Sequence, residues 1–417
     1  MPAAPNRQSL TIIKWLTFLM FLMFAMTTDS VGVIIPAVIK EFHLSMTRAG
    51  AFQYATMGGI GFAGICLGYL ADRLGRKKTI VLGLAIFALS SFLFAAGSSF
   101  PFFLALLLIS GIAIGIFKTG ALALIGDITH SIAQHTATMN AVEGFFAVGS
   151  IIGPALVAHF LGIGLSWKWL YVVAGIVCVA LIVMASCVEY PVSTVTSGPP
   201  DFRRALGMLT HPYVLAFSAV ISLYVAVESA VYVWMPTLLG SGRNTDTFLI
   251  AYGISIFFLL RAAGRFFGFW MLRRFNWAAV TAAFSLVIFA CFVLSMLGGI
   301  RTAAFLLPLS GLFMSVLYPT LNSKGISCFP KAEHGAVAGV ILFFTCAAAV
   351  VGPLAMGAIS DSLGAPKYGF VLATGVAGLL FVLLLLNWIV NPARQLLRKL
   401  DASEYHVGDA SQARLPD

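Results

Sequence analysis

Along the 417 residues, long apolar runs alternate with short polar ones. Twelve runs reach about 20 residues, the length a helix needs to cross the hydrocarbon core of a bilayer. They start near Trp15, Gly50, Thr79, Pro101, Met139, Lys168, Pro212, Asp246, Trp277, Thr302, Gly335 and Tyr368. The pattern predicts an all-α integral membrane protein with twelve transmembrane helices. The first run follows Arg7 and Lys14, reaches about Ile39 and lacks a small-residue cleavage site, so it is expected to stay as a helix.

The runs repeat. An offset of about 200 residues carries small and polar landmarks from one half to the other. Asp29 and Pro36 correspond to Glu228 and Pro236; Gly64 and Gly68 to Gly264 and Gly268; Gly111, Gly115 and Lys118 to Gly311, Ser315 and Tyr318; Gly153 and Pro154 to Gly352 and Pro353. Two pseudo-symmetric six-helix bundles are expected, over 1–190 and 211–391. Between them lies a connector, 191–210, with Pro191, Ser197, Gly198, Pro199, Pro200, Arg203 and Arg204, a linker composition. A polar tail, 392–417, follows.

Composition agrees: 60% of residues are hydrophobic and 10% charged, against roughly 25% charged in a soluble domain. The net charge of +10 does not call for nucleic acid. With both termini cytoplasmic, most Lys and Arg fall on the inner side, among them Arg73, Arg76, Lys77, Lys78, Arg273, Arg274, Arg394, Arg398 and Lys399, which is the positive-inside bias. The six cysteines sit mostly within apolar runs, as packing residues. A membrane enzyme would show a phosphate loop, a metal helix or a redox pair. The chain has no Gly-Lys dipeptide, no HExxH and no CxxC, and no metal, cofactor or obligate protein partner is expected.

The sharpest motif is GYLADRLGRKK, Gly68 to Lys78, between spans two and three. Gly68 permits close helix approach, Gly75 a tight turn, and Asp72 can cap a neighbouring helix N-terminus. With Arg73 and Arg76, these residues form a candidate gating motif. The loop resembles the signature loop of the major facilitator superfamily, where it latches the cytoplasmic gate. That resemblance implies the major facilitator fold, alternating access, an inner (plasma) membrane location, and a cavity lined by spans one, four, seven and ten. In the second half Gly264, Gly268, Arg273 and Arg274 remain, but Leu272, Phe275 and Asn276 replace the Asp, Gly and Arg.

Ionisable groups inside spans are costly and are functional candidates by default. Asp29, Lys118, Glu143 and Glu228 qualify. Asn140 precedes Glu143 by nearly one turn. Tyr224, Glu228 and Tyr232 stack at i, i+4 and i+8, followed by Trp234, and Tyr318 shares a helical face of span ten with Asn322. Rings, carboxylates, amides and hydroxyls suit a polyhydroxylated ligand. Structural readings stand beside these: Asp29 and Lys118 pairing with each other, Glu143 tying helices together, Glu228 meeting Arg261, the aromatics packing, and Arg261 and Arg265 anchoring span eight toward the cytoplasm.

YVAVES (Tyr224 to Ser229) with Trp234 and Pro236, GRFFG (Gly264 to Gly268) and SVLYPT (Ser315 to Thr320) resemble the fucose and glucose proton-symporter branch. The resemblance implies uptake of a sugar-like small molecule with a coupling ion, expected to be a proton, at Asp29. Lys118 departs from that branch and leaves room for a sugar acid or organic acid. A drug-type proton antiporter is the other alternative: Gly149, Gly153 and Pro154 match its span-five signature, while Val157 and Ala158 do not.

Overall fold

A computed structural model describes residues 7–67, 70–129, 132–191, 207–242, 246–330 and 333–397, with backbone alone at 7, 8, 65, 72, 132–137, 140 and 334–336. The described residues are mostly helical and contain no strand. Span one is Arg7–Thr28 joined to Val31–Phe42 through a break at Asp29 and Ser30. Spans two to six are Ala51–Cys66, Arg76–Ala96, Phe100–Asp127, Ile132–Gly162 and Trp169–Ser186. Span seven runs from Pro212–Ser229 through a wide π turn, Ala230–Trp234, into Met235–Gly240. Span eight is Thr247–Arg274, span eleven His334–Leu363 and span twelve Lys367–Val390.

Spans nine and ten form one run, Trp277–Met314, split where Gly299 takes φ +75°, and span ten continues as Leu317–Ser327. Ten described stretches are long and apolar enough to cross a membrane. That count merges spans nine and ten and passes over the 16-residue span two. Resolving both gives the twelve crossings expected from hydropathy. Span five starts at Ile132, before the expected Met139, because its first turns (IAQHTATMN) are helical yet too polar to register as an apolar run.

Lipid offers helices no hydrophobic reason to associate, so packing rests on close contact between small residues. The glycine landmarks make those contacts at equivalent places. A Cβ at Gly153 would collide with the Met26 carbonyl, and one at Gly352 would sit 3.0 Å from Ala226 Cα. Gly111 lies against the Thr56 carbonyl, and Gly311 against that of Phe257. Spans one and five, seven and eleven, two and four, and eight and ten thus meet backbone to backbone. All six cysteines are unbonded, and Cys178, Cys291 and Cys328 are buried.

At one end of the bundle, the far end (residues 43–45, 163–168 and 364–366), the two halves close on each other. One buried cluster runs unbroken from Ile34 and Phe52 of the first half into Val231, Leu238 and Ile254 of the second. Gly32 faces the Tyr232 carbonyl so closely that no Cβ would fit. Pro236 has no N–H to offer that carbonyl, and the π turn in front of it is the wider winding that accommodates it. Asp361, at the end of span eleven, accepts the N–H groups of Met46 and Thr47, each at 2.8 Å. The opposite end, at Leu74–Gly75 and 187–191, is the linker end. Of the expected connector and tail, 192–206 and 398–417 lie outside the described residues.

Candidate functional site

At the break in span one, span five comes very close. Gly149 and Gly153 lie against the Leu22 and Met26 carbonyls, and Ser150 between them donates to Asp29 Oδ2. Thr28 Oγ1 donates to Asp29 Oδ1 at 3.3 Å. Asp29 and Lys118 do not form an ion pair. The Lys118 ammonium instead sits 5.4 Å from the centre of the Phe146 ring.

Across from Asp29, Glu228 is 7% exposed and its Oε1 lies 2.7 Å from Arg261 Nη2. The charges touch, but this oxygen is outside hydrogen-bond geometry and Arg261 Nε has no acceptor among the described residues. Asp29, Glu228, Arg261 and Lys118 share one electrostatic neighbourhood, drawn from spans one, seven, eight and four. Beside it Arg265 Nη2 is 3.4 Å from Glu143 Oε2, an ion pair that links the two halves. Arg261 and Arg265, four residues apart on one face, are thus not free cytoplasmic anchors. They are the counter-charges of Glu228 and Glu143.

The aromatic candidates divide. Tyr224 is fully buried and its hydroxyl donates to the Met314 carbonyl at 3.0 Å, next to the break between Met314 and Leu317. Trp234 is buried too, donating from Nε1 to the Pro353 carbonyl at 3.1 Å. Tyr232 is partly exposed and its hydroxyl accepts from Gln53 Nε2 across the halves at 3.4 Å. Tyr318 and Asn322 are half-buried, with the Tyr318 ring 6.5 Å from that of Tyr224. The Asn140 side chain and Gly68 lie outside the described atoms and residues.

Of the gating motif, Gly75 takes φ +83°, the left-handed region its sequence position suggested. Arg76 Nε is 2.8 Å from Asp127 Oδ2, and Lys77 Nζ donates to the Ser186 and Val188 carbonyls at 3.0 and 2.8 Å. The loop is stapled to spans four and six. Arg73 is exposed, and Asp72 is described in its backbone alone. A separate cleft of about 410 Å³ lies at the linker end among Phe217, Leu321, Leu384 and Val390. Asn387 is the one amide in its lining, and none of the charged residues above reaches it.

The sequence profile described as Major Facilitator Superfamily matches residues 17–353. The chain belongs to the major facilitator superfamily. This transporter is 24% identical over 397 residues to the L-fucose-proton symporter of Escherichia coli strain K12, covering 83% of this chain and 86% of that one. It is 28% identical over 202 residues to multidrug resistance protein 2 of Bacillus subtilis strain 168, spanning 45% of this chain and about half (49%) of that relative. The crystal structure of the nucleoside transporter NupG superposes with a TM-score of 0.73 at 16% identity, over 90% of this chain and 98% of that one, a likeness of fold.

Sequence reasoning missed Ser150, Phe146 and Asp361. For Ser150 a signal existed: a hydroxyl flanked by Gly149 and Gly153, on a face that must touch another helix.

Proposed function

We propose that this transporter works by alternating access as a proton-coupled symporter of a sugar or sugar-like solute, with both termini cytoplasmic in the inner (plasma) membrane. The observation that carries the reading is the setting of Asp29. It sits in a helix break inside the membrane, held by two hydroxyls, with no Lys or Arg within 4 Å among the described residues. A carboxylate without a fixed cation is free to take and release a proton. Glu228, facing it and paired with Arg261, is the second candidate. Closure at the far end supports reading the linker end as the open side, which with both termini cytoplasmic would be the inward-facing state.

The energetics suffice. With a neutral solute, one proton crossing 100 mV supplies about 2.3 kcal/mol, enough for a solute gradient of roughly 50-fold at about 1.4 kcal/mol per decade; with a monoanionic solute the pH gradient alone drives accumulation, at about 1.4 kcal/mol per pH unit.

The test is uptake into proteoliposomes under an imposed pH gradient, with D-glucose, L-fucose and D-xylose as probes. Asp29→Asn is expected to abolish driven accumulation and spare exchange. Unchanged accumulation would sink the role given to Asp29. A second reading, a proton antiporter exporting hydrophobic compounds, draws support from the packing of Gly149 and Gly153 on span one. It predicts pH-driven movement of hydrophobic cations and none of sugars.

A further inference from the structure

We propose that the solute carries one negative charge, as a hydroxylated monocarboxylate of the sugar-acid class, and that Lys118 holds its carboxylate. This rests on the symporter reading above and names the solute of the same site.

Lys118 lies within span four, half-buried, where an ammonium is costly and needs a partner. Among the described residues no carboxylate comes within 4 Å of it. Among the described residues its ammonium lies over the Phe146 ring of span five, which offsets part of that cost through its negative face. Both other cations of the neighbourhood are taken, Arg261 by Glu228 and Arg265 by Glu143. Cys346 of span eleven packs against Gly61 of span two nearby, so this part of span four lies beside the junction of the two halves.

Charge balance supplies the coupling. Asp29 is faced by Lys118 from span four, Ser150 from span five, Glu228 from span seven and Arg261 from span eight. Lys118, Arg261 and Arg265 oppose Asp29, Glu143 and Glu228, so the site is neutral when Asp29 is ionised. When Asp29 takes up a proton, one positive charge is left over, and it resides on Lys118. A solute carboxylate then restores neutrality. When the proton leaves, Asp29 competes for Lys118 and the anion is released. One cation, a point charge without a second donor fork, matches a monoanion and not a phosphate dianion. Proton and anion cross together, and the step moves no net charge.

D-glucose and D-glucuronate test this directly, since they differ only in the group at C6. Binding of each to purified wild-type protein is measured by thermal shift and by equilibrium dialysis, and then to Lys118→Gln and Lys118→Arg. Glucuronate is expected to bind the wild type at least tenfold more tightly than glucose. Lys118→Gln should lose at least tenfold for glucuronate and little for glucose, with partial recovery in Lys118→Arg. On a solid-supported membrane, proton-coupled glucuronate uptake should give no steady transport current.

Equal or tighter binding of glucose, or no binding of glucuronate, overturns the proposal from the wild-type protein alone, whether or not the variants fold. A transport current with glucuronate overturns the charge balance. Proton coupling fails separately, if Asp29→Asn still accumulates whichever probe the wild type carries.

Discussion

Arg261 Nη2 lies 2.7 Å from Glu228 Oε1, joining spans seven and eight of the second half inside the membrane. Cutting one partner of such a pair leaves an uncompensated charge, which costs about 3 to 5 kcal/mol when fully buried. Arg261 is about a quarter exposed (23%), which points to the lower part of that range. Arg261→Gln should lower the thermal midpoint of the purified protein clearly. The double change with Glu228→Gln should recover most of the loss, and a simply additive double variant would contradict the pairing.

Asp361 accepts two N–H groups from the other half, at Met46 and Thr47. A carboxylate at a helix N-terminus is favoured by the dipole, and hydrogen bonds to a charged group are worth about 1.5 to 3 kcal/mol. The Thr47 bond is exposed, so a net of about 1.5 kcal/mol is expected, or roughly tenfold in the balance between states. Asp361→Ala should therefore populate a state open at the far end. Thiol labelling of a cysteine placed at Thr47 reads this out, and unchanged labelling would remove Asp361 from the gate.

Gly32 and Gly153 both lie against a carbonyl, but with different consequences. Gly153 meets span one within its own bundle, so Gly153→Ala should cost about 1 to 3 kcal/mol of stability through overpacking. Gly32 meets Tyr232 across the halves. Gly32→Val should leave the thermal midpoint nearly unchanged while blocking far-end closure and turnover. Comparing the midpoint and the exchange rate of the two variants separates the cases.

Gly75 turns the loop between spans two and three at φ +83°. A side chain there costs about 1 to 2 kcal/mol. Gly75→Ala should slow turnover and leave equilibrium solute affinity intact, as a latch requires. A loss confined to affinity would refute that role.

Much of the fold is readable from hydropathy, because bilayer thickness fixes run length, and the glycine landmarks show which faces touch. Gly299 is a case in point: the polar gap GGIR marks the split that helix geometry alone merges. The charged neighbourhood is only half readable. Helical spacing puts Arg261 and Arg265 on one face and Glu228 on another, but it does not say which helices are neighbours. The pairing of Asp29 with Lys118, one reading of the sequence, fails for a reason of distance. Gly149 and Gly153 draw span five so close that Ser150 reaches the carboxylate first. Asp361 leaves no signal in the sequence, since its partners are backbone N–H groups at the start of a short helix, Met46–Ala49, in the other half.

The contact of Gly32 with the Tyr232 carbonyl is made by main chain on one side and by the absence of a side chain on the other. That part of the far-end seal is therefore independent of side-chain identity, unlike the buried cluster and the Asp361 bonds beside it. The residues proposed to face the solute, Lys118 among them, can be exchanged without disturbing that contact. One frame could thus be retuned to new cargo by changes in the charged neighbourhood alone, while a single added methyl at Gly32 would jam it for every cargo.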